Sequence, residues 1–177
     1  MRILRHLLAI LLLPFVMVVV VPRWIVVSRA AADTRWEGGT AAAWLAGAAG
    51  GVLLVAGFCL FAGCVALFAR VGRGTLAPWD PTERLVAVGP YRYMRNPMIT
   101  GVLAMIAGQA LVLGSRLVGE WCAAFFAINQ VYFMILEEPG LERRFGESYR
   151  RYRTAVPRWL PRTTPWSGDG AAAAGRP

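Results

Sequence analysis

Residues 41–69 read AAAWLAGAAGGVLLVAGFCLFAGCVALFA, a stretch without a charged side chain. At a rise of about 1.5 Å per residue, a helix of this length exceeds the hydrocarbon core of a bilayer, which is roughly 30 Å thick. Small residues recur along it, and Gly47 and Gly51 have the GxxxG spacing that lets neighbouring helix backbones approach closely. The stretch therefore predicts a membrane-spanning helix that packs tightly against other helices.

Three further apolar segments extend this pattern, at 4–27, about 98–113 and about 117–136. The last two are joined by the short link GSRLVGE, which predicts an antiparallel helical hairpin. A signal peptide is the alternative for the first segment, because basic residues precede its apolar run and small residues follow it. Arg23 and Trp24 favour a retained helix, since such a pair suits an interfacial anchor. The sequence thus predicts an all-α polytopic membrane protein with about four transmembrane helices.

Composition and charge exclude several other classes of protein. Hydrophobic residues make up 57% of the 177 residues and the mean hydropathy is +0.50, which is typical of polytopic membrane proteins. All 19 basic residues are arginine, and the net charge of +9 is better explained by topology than by nucleic-acid binding. The three cysteines lie in apolar runs and His6 is the only histidine. We therefore expect no metal site, no catalytic triad and no nucleic-acid partner.

Arginines are distributed unevenly among the segments that connect the apolar runs. The N-terminal leader, the connection 70–97 and the tail from residue 143 are rich in arginine, whereas the links 29–37 and 116–120 balance arginine with acidic residues. Because arginine-rich segments remain on the cytoplasmic side, this asymmetry predicts four spans with both termini in the cytoplasm. The expected location is the cell membrane, with the connection 70–97 and the tail facing the same compartment.

The tail contains a helical repeat of apolar residues at spacings of four and three, with arginine and glutamate between them. These residues are Leu141, Phe145, Tyr149, Tyr152 and Val156. The repeat predicts a cytoplasmic amphipathic helix that ends at Pro157. Past Trp166 the chain has no periodicity, which predicts a disordered end. We divide the chain into a pair of N-terminal helices (1–70), a core of connection, hairpin and amphipathic helix (71–162), and a disordered tail (163–177).

Polar residues cluster where the third apolar segment begins, in the stretch GPYRYMRNPMITG at 89–101. Proline suits the first position of a helix, because its missing N–H would have no intrahelical partner there. The N–H groups at such a helix start can hold an anionic group such as a carboxylate. The alternative is an ordinary interfacial helix start with arginine and tyrosine at the membrane surface.

A second polar group is the adjacent pair Glu137 and Glu138 at the inner end of the fourth segment. Two carboxylates at a helix C-terminus oppose the helix dipole unless a cation compensates them. Arg143 or Arg144 is one candidate for that cation, and a cationic ligand of Glu137 is the other. Three amide side chains also lie inside the hairpin, and interhelical hydrogen bonds explain them without a ligand. They are Gln109, Asn129 and Gln130.

The two motifs together, separated by a hydrophobic hairpin, resemble the isoprenylcysteine carboxyl methyltransferase family, which is related to the membrane phospholipid methyltransferases. That family's pattern is roughly G-x-Y-x-x-x-R-H-P-x-Y-x-G, then E-E-x-x-L-x-x-x-F-G-x-x-Y-x-x-Y and V-P-R. The resemblance covers about residues 83–162. It implies an integral membrane methyltransferase that uses S-adenosyl-L-methionine and methylates a lipophilic or lipidated acceptor, with carboxylate O-methylation as in the family.

The resemblance also implies which residues hold the cofactor and act on the acceptor. Glu138 and Arg95 are the predicted catalytic residues, and Phe133 is the predicted substrate residue. The predicted cofactor-binding residues are Glu83, Arg84, Leu85, Val86, Tyr91, Asn96, Pro97, Met98, Ile99 and Glu137. An acidic group suits the amine and sulfonium of the cofactor, and N–H groups at a helix start suit its carboxylate.

Three residues depart from the family pattern. Asn96 replaces a frequent histidine, Ile99 replaces an aromatic residue, and Phe133 stands where prenylcysteine-specific members have an arginine for the acceptor carboxylate. Cofactor binding tolerates these changes better than acceptor identity does. The alternatives are therefore a phospholipid or lipid-amine N-methyltransferase and, from another class, a non-catalytic membrane scaffold.

Overall fold

The computed structural model describes residues 14–33, 39–71, 85 and 87–168. Every regular element within these ranges is helical, and they contain no β-strand, so the predicted all-α class is confirmed. The elements are a π-helical turn Val16–Val20, α1 Val21–Ser28, α2 Ala41–Val71, a 3₁₀ turn Gly89–Arg92, α3 Pro97–Leu113, α4 Arg116–Tyr132, a second π-helical turn Phe133–Glu137, and α5 Glu138–Ala155.

Two of these helices are long and apolar enough to cross a membrane. They are α2 over Ala41–Phe68 and the helical stretch Arg116–Ala155, which combines α4, the second π-turn and α5. Two shorter apolar helices, Val16–Ser28 and Pro97–Leu113, lie where the first and third predicted segments were expected. The four-span arrangement and the sides of the termini stay predictions.

Contacts divide the chain into two compact units. The first unit contains Met1–Phe61 and Ile99–Asn129, and the second contains Ala62–Met98 and Gln130–Pro177. The first unit holds most of the apolar helices, and the second holds the two polar motifs with α5.

In the first unit, α2 and α3 cross at two glycine pairs. A Cβ atom added at Gly57 would lie 2.6 Å from the carbonyl oxygen of Gly101, and one added at Gly50 would lie 2.7 Å from that of Gly108. Among the residues that the structure describes, no atom lies within 4 Å of a Cβ added at Gly47 or Gly51, so within them this pair does not make the close helix contact that the sequence predicted. A different face of α2 makes the close contact.

The helix that contains α1 is distorted, and neighbouring side chains satisfy the carbonyl groups that the distortion frees. Pro22 has no N–H for the carbonyl of Val18, and the N–H of Val21 bonds to Val16 in the wider turn, which frees the carbonyl of Met17. Gln109 donates to the Val18 oxygen at 2.8 Å, and Trp121 donates to the Met17 oxygen at 3.1 Å. The predicted interhelical hydrogen bond of Gln109 is thus confirmed, and it ties the first helix to the hairpin.

The other two amides in the hairpin behave differently. Asn129 donates to the carbonyl of Phe125 in its own helix at 2.8 Å. Gln130 accepts a hydrogen bond from the indole of Trp159, which lies outside the helices. For these two residues the prediction of helix-to-helix bonding was wrong, because each amide found a partner within its own helix or in the C-terminal segment.

In the second unit, the predicted amphipathic helix α5 ends at Ala155 and packs its apolar face on the chain before the 3₁₀ turn. Tyr149, Tyr152 and Val156 are buried with Ala87, and Leu85 and Phe145 pack against them. The helix is interrupted at Gly146, whose φ of +52° and ψ of −128° lie outside the helical region. This conformation strongly favours glycine, which explains the glycine in the FGESY motif.

Candidate functional site

The segment after α5 lies along the chain that leads into α3. We call residues 156–166 the C-terminal strap. The N–H groups of Arg95 and Asn96 donate to the carbonyls of Pro157 at 2.9 Å and Arg158 at 3.3 Å, and Arg162 N–H donates to Tyr93 at 3.0 Å. These bonds bring Arg95-Asn96-Pro97, which we call the RNP motif, together with the V-P-R motif at 156–158. The two motifs are about 60 residues apart in the sequence.

The strap changes what the start of α3 can bind. We expected the N–H groups that precede the helix to be available for an anionic group. Those of Arg95 and Asn96 are instead bonded to strap carbonyls. The first turn of α3 contains further donors, since the N–H groups of Met98 and Ile99 have no carbonyl four residues earlier within the helix. Pro97, which precedes them, is fully buried.

Tyr91 lies in the 3₁₀ turn and is buried. Its carbonyl accepts a hydrogen bond of 2.6 Å from the hydroxyl of Tyr152, and its ring meets that of Phe68 edge-on, with centroids 5.4 Å apart. Burial raises the pKa of Tyr91 well above its ordinary value, and the nearby Cys64, Tyr152 and Glu137 raise it further. The side chain is therefore a neutral phenol at physiological pH.

Glu138 is buried and holds two arginines. Its Oε1 accepts hydrogen bonds from Arg95 at 2.5 Å and from Arg158 Nε at 2.8 Å, and all three side chains are less than a fifth exposed. The predicted alternative partners, Arg143 and Arg144, do not contribute to this cluster. They lie five and six residues after Glu138, whereas helical neighbours are three and four residues apart. The two predicted catalytic residues, Glu138 and Arg95, are thus in direct contact.

The guanidinium of Arg95 retains an unused donor. Its Nε atom is buried and has no hydrogen-bond partner in the part of the chain that the structure describes. Burying an unpaired donor is unfavourable, so native structures contain few such groups. The atom marks a place where an oxygen of a bound molecule would be stabilised.

Glu137 differs from its neighbour. It is half-buried in the second π-turn and is within electrostatic range of Tyr91, Tyr132 and Tyr149. Among the residues that the structure describes, no arginine forms an ion pair with it, whereas Glu138 has two. Of the two carboxylates, Glu137 is therefore the one available to a cationic ligand.

The second π-turn explains why Glu137 points inward. The N–H of Glu138 bonds to the carbonyl of Phe133, and the following Pro139 has no N–H, so the turn is wider than an α-helical one. Phe133 and Glu137, four residues apart, lie on one face, with Phe133 buried. The three residues between them are more than half exposed. They are Met134, Ile135 and Leu136.

Aromatic rings continue this inner face. Phe133 lies 5.6 Å from Trp159 of the strap and 5.8 Å from Tyr132, measured between ring centroids. Trp159 donates its indole N–H to Gln130 at 2.7 Å. Trp159 was not identified from the sequence as a site residue. Its position directly after the V-P-R motif is the one signal that would have identified it.

The structure places part of the predicted site and leaves part outside its described residues. Glu83, Arg84 and Val86 lie outside them, and Leu85 packs against the buried face of α5. The described residues contain no cluster of histidine, cysteine, aspartate or glutamate that could hold a metal ion. Arg95, Glu138 and the strap form one connected cluster, and Glu137, Tyr91 and Phe133 adjoin it in the same unit.

Comparison with known proteins identifies the family of the chain. The sequence profile of the phospholipid methyltransferase family matches residues 46–148, which is more than half of the chain. An uncharacterized protein of Haemophilus influenzae is 33% identical over 63 residues, which are 36% of this chain and the whole of that relative. No solved structure matches the chain. The apolar helices and the profile identify the chain as an integral membrane protein, and it belongs to the phospholipid methyltransferase family.

Proposed function

We propose that this protein is an S-adenosyl-L-methionine-dependent membrane methyltransferase that acts on a lipophilic acceptor. The family match supports methyl transfer. The observation that carries the proposal is the contrast between the two glutamates, because Glu138 is neutralised by two arginines while Glu137 has no ion pair among the described residues. A half-buried carboxylate beside tyrosine rings suits the amine or sulfonium of the cofactor.

The remaining polar groups fit the rest of the cofactor. The unpaired Nε of Arg95 and the first-turn N–H groups of Met98 and Ile99 are donors for its carboxylate. Tyr91 and Leu85 supply apolar and aromatic surface, and Asn96 and Pro97 complete the start of α3. Glu83, Arg84 and Val86 are proposed contacts on the resemblance alone.

Methyl transfer requires little acid–base machinery from the protein. When bound, S-adenosyl-L-methionine supplies a methyl group already activated by a positively charged sulfur. The residues of this chain then have to orient acceptor and cofactor in line and exclude water. The Arg95–Glu138–Arg158 cluster fixes the strap against the start of α3, and we propose that Glu138 and Arg95 border the reacting atoms.

Two acceptor classes remain, and the site favours one of them. Carboxylate O-methylation follows from the isoprenylcysteine-type motifs. A lipid amine is favoured by the site, because Phe133 replaces the carboxylate-binding arginine and Arg158 is already bonded to Glu138. For an amine, a new N–C bond forms as the C–S bond breaks, the electron pair goes to sulfur, and the amine proton passes to Glu137 or water.

The proposed topology has four spans with both termini in the cytoplasm. It places the 3₁₀ turn, α5 and the strap on the side where the cofactor is made. The apolar helices would then carry the site at the membrane surface, within reach of lipid acceptors.

Methyl transfer is tested with the detergent-purified protein, S-adenosyl-L-methionine labelled in its methyl group, and three acceptors. These are a bacterial lipid extract, phosphatidylethanolamine and N-acetyl-S-farnesylcysteine. We expect the label to appear in the lipid fraction. Mild base leaves the label in place if the methyl group is on nitrogen, and releases it as methanol if the product is a methyl ester. Glu137→Ala is expected to lose most of this label. A folded wild-type protein that labels none of the three acceptors would favour the scaffold alternative.

A further inference from the structure

Trp159 occupies a restrained position in the strap, next to Arg158. Its indole N–H is held by Gln130 at 2.7 Å and its ring lies 5.6 Å from that of Phe133. A hydrogen bond at one edge and a ring contact at another fix the orientation of a large side chain. Such restraint is more than a lipid-facing tryptophan needs, and the cofactor assignments above do not use this residue.

The arginines of the neighbouring cluster are already paired with a glutamate. Arg158, the neighbour of Trp159 in the chain, donates its Nε–H to Glu138, and Arg95 donates to the same carboxylate oxygen through a terminal guanidinium nitrogen. Glu137 lies four residues from Phe133 on the inner face of the π-turn and has no ion pair among the described residues. Both arginines of the cluster are therefore already paired with a protein carboxylate, and neither forms an ion pair with an acceptor carboxylate without giving up that partner.

Apolar surface adjoins this aromatic group. Leu160, next to Trp159, is 78% exposed, and Leu136, next to Glu137, is 60% exposed. Leu160 adjoins one ring of the pair in the chain, Leu136 lies three residues after the other, and both present hydrocarbon surface. A molecule with a polar head and apolar tails could place its head at the rings and its tails along these leucines.

From this combination we propose that Trp159, oriented by Gln130 and paired with Phe133, selects the acceptor by its head group and prefers an ammonium head over a carboxylate. The proposal deepens the proposed function and rests on it. Aromatic faces attract ammonium groups, and the attraction strengthens when water is excluded. Because the proposed function assigns Glu137 to the cofactor, the preference between head groups rests on the two rings, whose faces attract a cation and not a carboxylate.

The test compares Trp159→Leu, which removes the ring, with Trp159→Phe, which keeps a ring without the hydrogen bond to Gln130. Trp44→Leu is the matched control, because Trp44 is 75% exposed on α2. The readouts are KM and kcat for phosphatidylethanolamine in mixed micelles and the Kd of labelled S-adenosyl-L-methionine. For Trp159→Leu we expect KM to rise about ten-fold, the size of one desolvated cation–ring contact, with the cofactor Kd unchanged. Trp159→Phe should fall in between, and Trp44→Leu should match the wild type.

A second measurement uses the wild type and so does not depend on a variant that folds. Dodecylphosphocholine and its analogue with carbon in place of the quaternary nitrogen are compared as inhibitors. We expect the charged compound to inhibit at about ten-fold lower concentration, and Trp159→Leu to narrow that difference.

Three results would overturn this assignment. They are equal inhibition by the two compounds, an unchanged KM in folded Trp159→Leu, and wild-type transfer to N-acetyl-S-farnesylcysteine with none to phosphatidylethanolamine. A wild-type protein that binds no S-adenosyl-L-methionine would instead contradict the proposed function itself, so the two failures are distinguishable.

Discussion

Glu138→Gln is expected to unfold this protein at a much lower denaturant concentration than the wild type. The substitution keeps the shape of the side chain but leaves Arg95 and Arg158, which are 12% and 17% exposed, without their shared carboxylate. Removing one partner of a buried ion cluster costs about 3–5 kcal/mol, because the remaining charges stay desolvated. We therefore expect a loss of that order in the free energy of unfolding, measured in detergent by tryptophan fluorescence.

Glu147→Gln is the matched control for this substitution. Glu147 lies on the same helix and faces Arg151 at 3.4 Å and Arg150 at 3.9 Å, but its side chain is 63% exposed. Exposed pairs contribute about 0–1 kcal/mol, so this variant should unfold close to the wild type. Replacing Glu138 by leucine and both arginines by methionine should recover part of the stability, since no charge then stays buried. Equal unfolding of the two single variants would contradict the buried cluster.

Gly57→Ala is expected to lower the stability of the protein, whereas Gly51→Ala is not. A methyl group at Gly57 would approach the carbonyl oxygen of Gly101 to 2.6 Å, and that backbone atom cannot move without shifting α3. Overpacking of this kind costs about 1–3 kcal/mol. Gly51 has open space around it, so alanine there should be neutral or stabilise by up to about 1 kcal/mol through its higher helix propensity.

Both glycine variants are measured by the same unfolding experiment. Both positions lie inside α2, six residues apart, so the change in helix propensity from glycine to alanine is the same at each. A loss of stability in Gly51→Ala that matches that of Gly57→Ala would contradict the glycine crossing. It would indicate that the GxxxG face, and not the face of Gly57, meets another helix.

The sequence predicted the positions of the helices because apolar runs and prolines are local signals. It failed to identify the packing face of α2, since that helix is apolar all round and lipid is as apolar as a neighbouring helix. Gly47 and Gly51 match a known motif, whereas Gly50 and Gly57 are recognised as a contact only when α3 is in place. The side chains that bond to the carbonyl groups of Val18 and Met17 could not be predicted either, because π-turns have no simple sequence signature.

The sequence identified the polar motifs, but it did not predict the contacts between them. The proximity of the RNP motif and α5 followed from the order of the motifs. In the described residues, Glu138 pairs with both arginines and Glu137 pairs with neither. This difference depends on the second π-turn and on the course of the strap, which are properties of the folded chain. Trp159 was missed for the same reason, since its partner Gln130 lies 29 residues before it.

Equilibrium binding of labelled S-adenosyl-L-methionine to the detergent-purified protein tests the central claim most directly. We predict saturable binding to the wild type, and to Glu147→Gln with the same Kd. Glu137→Gln should bind at least about ten-fold more weakly, as expected when a charged hydrogen-bond partner is lost, while its unfolding midpoint stays near that of the wild type. No saturable binding to folded wild-type protein, or wild-type affinity in Glu137→Gln, would contradict the account.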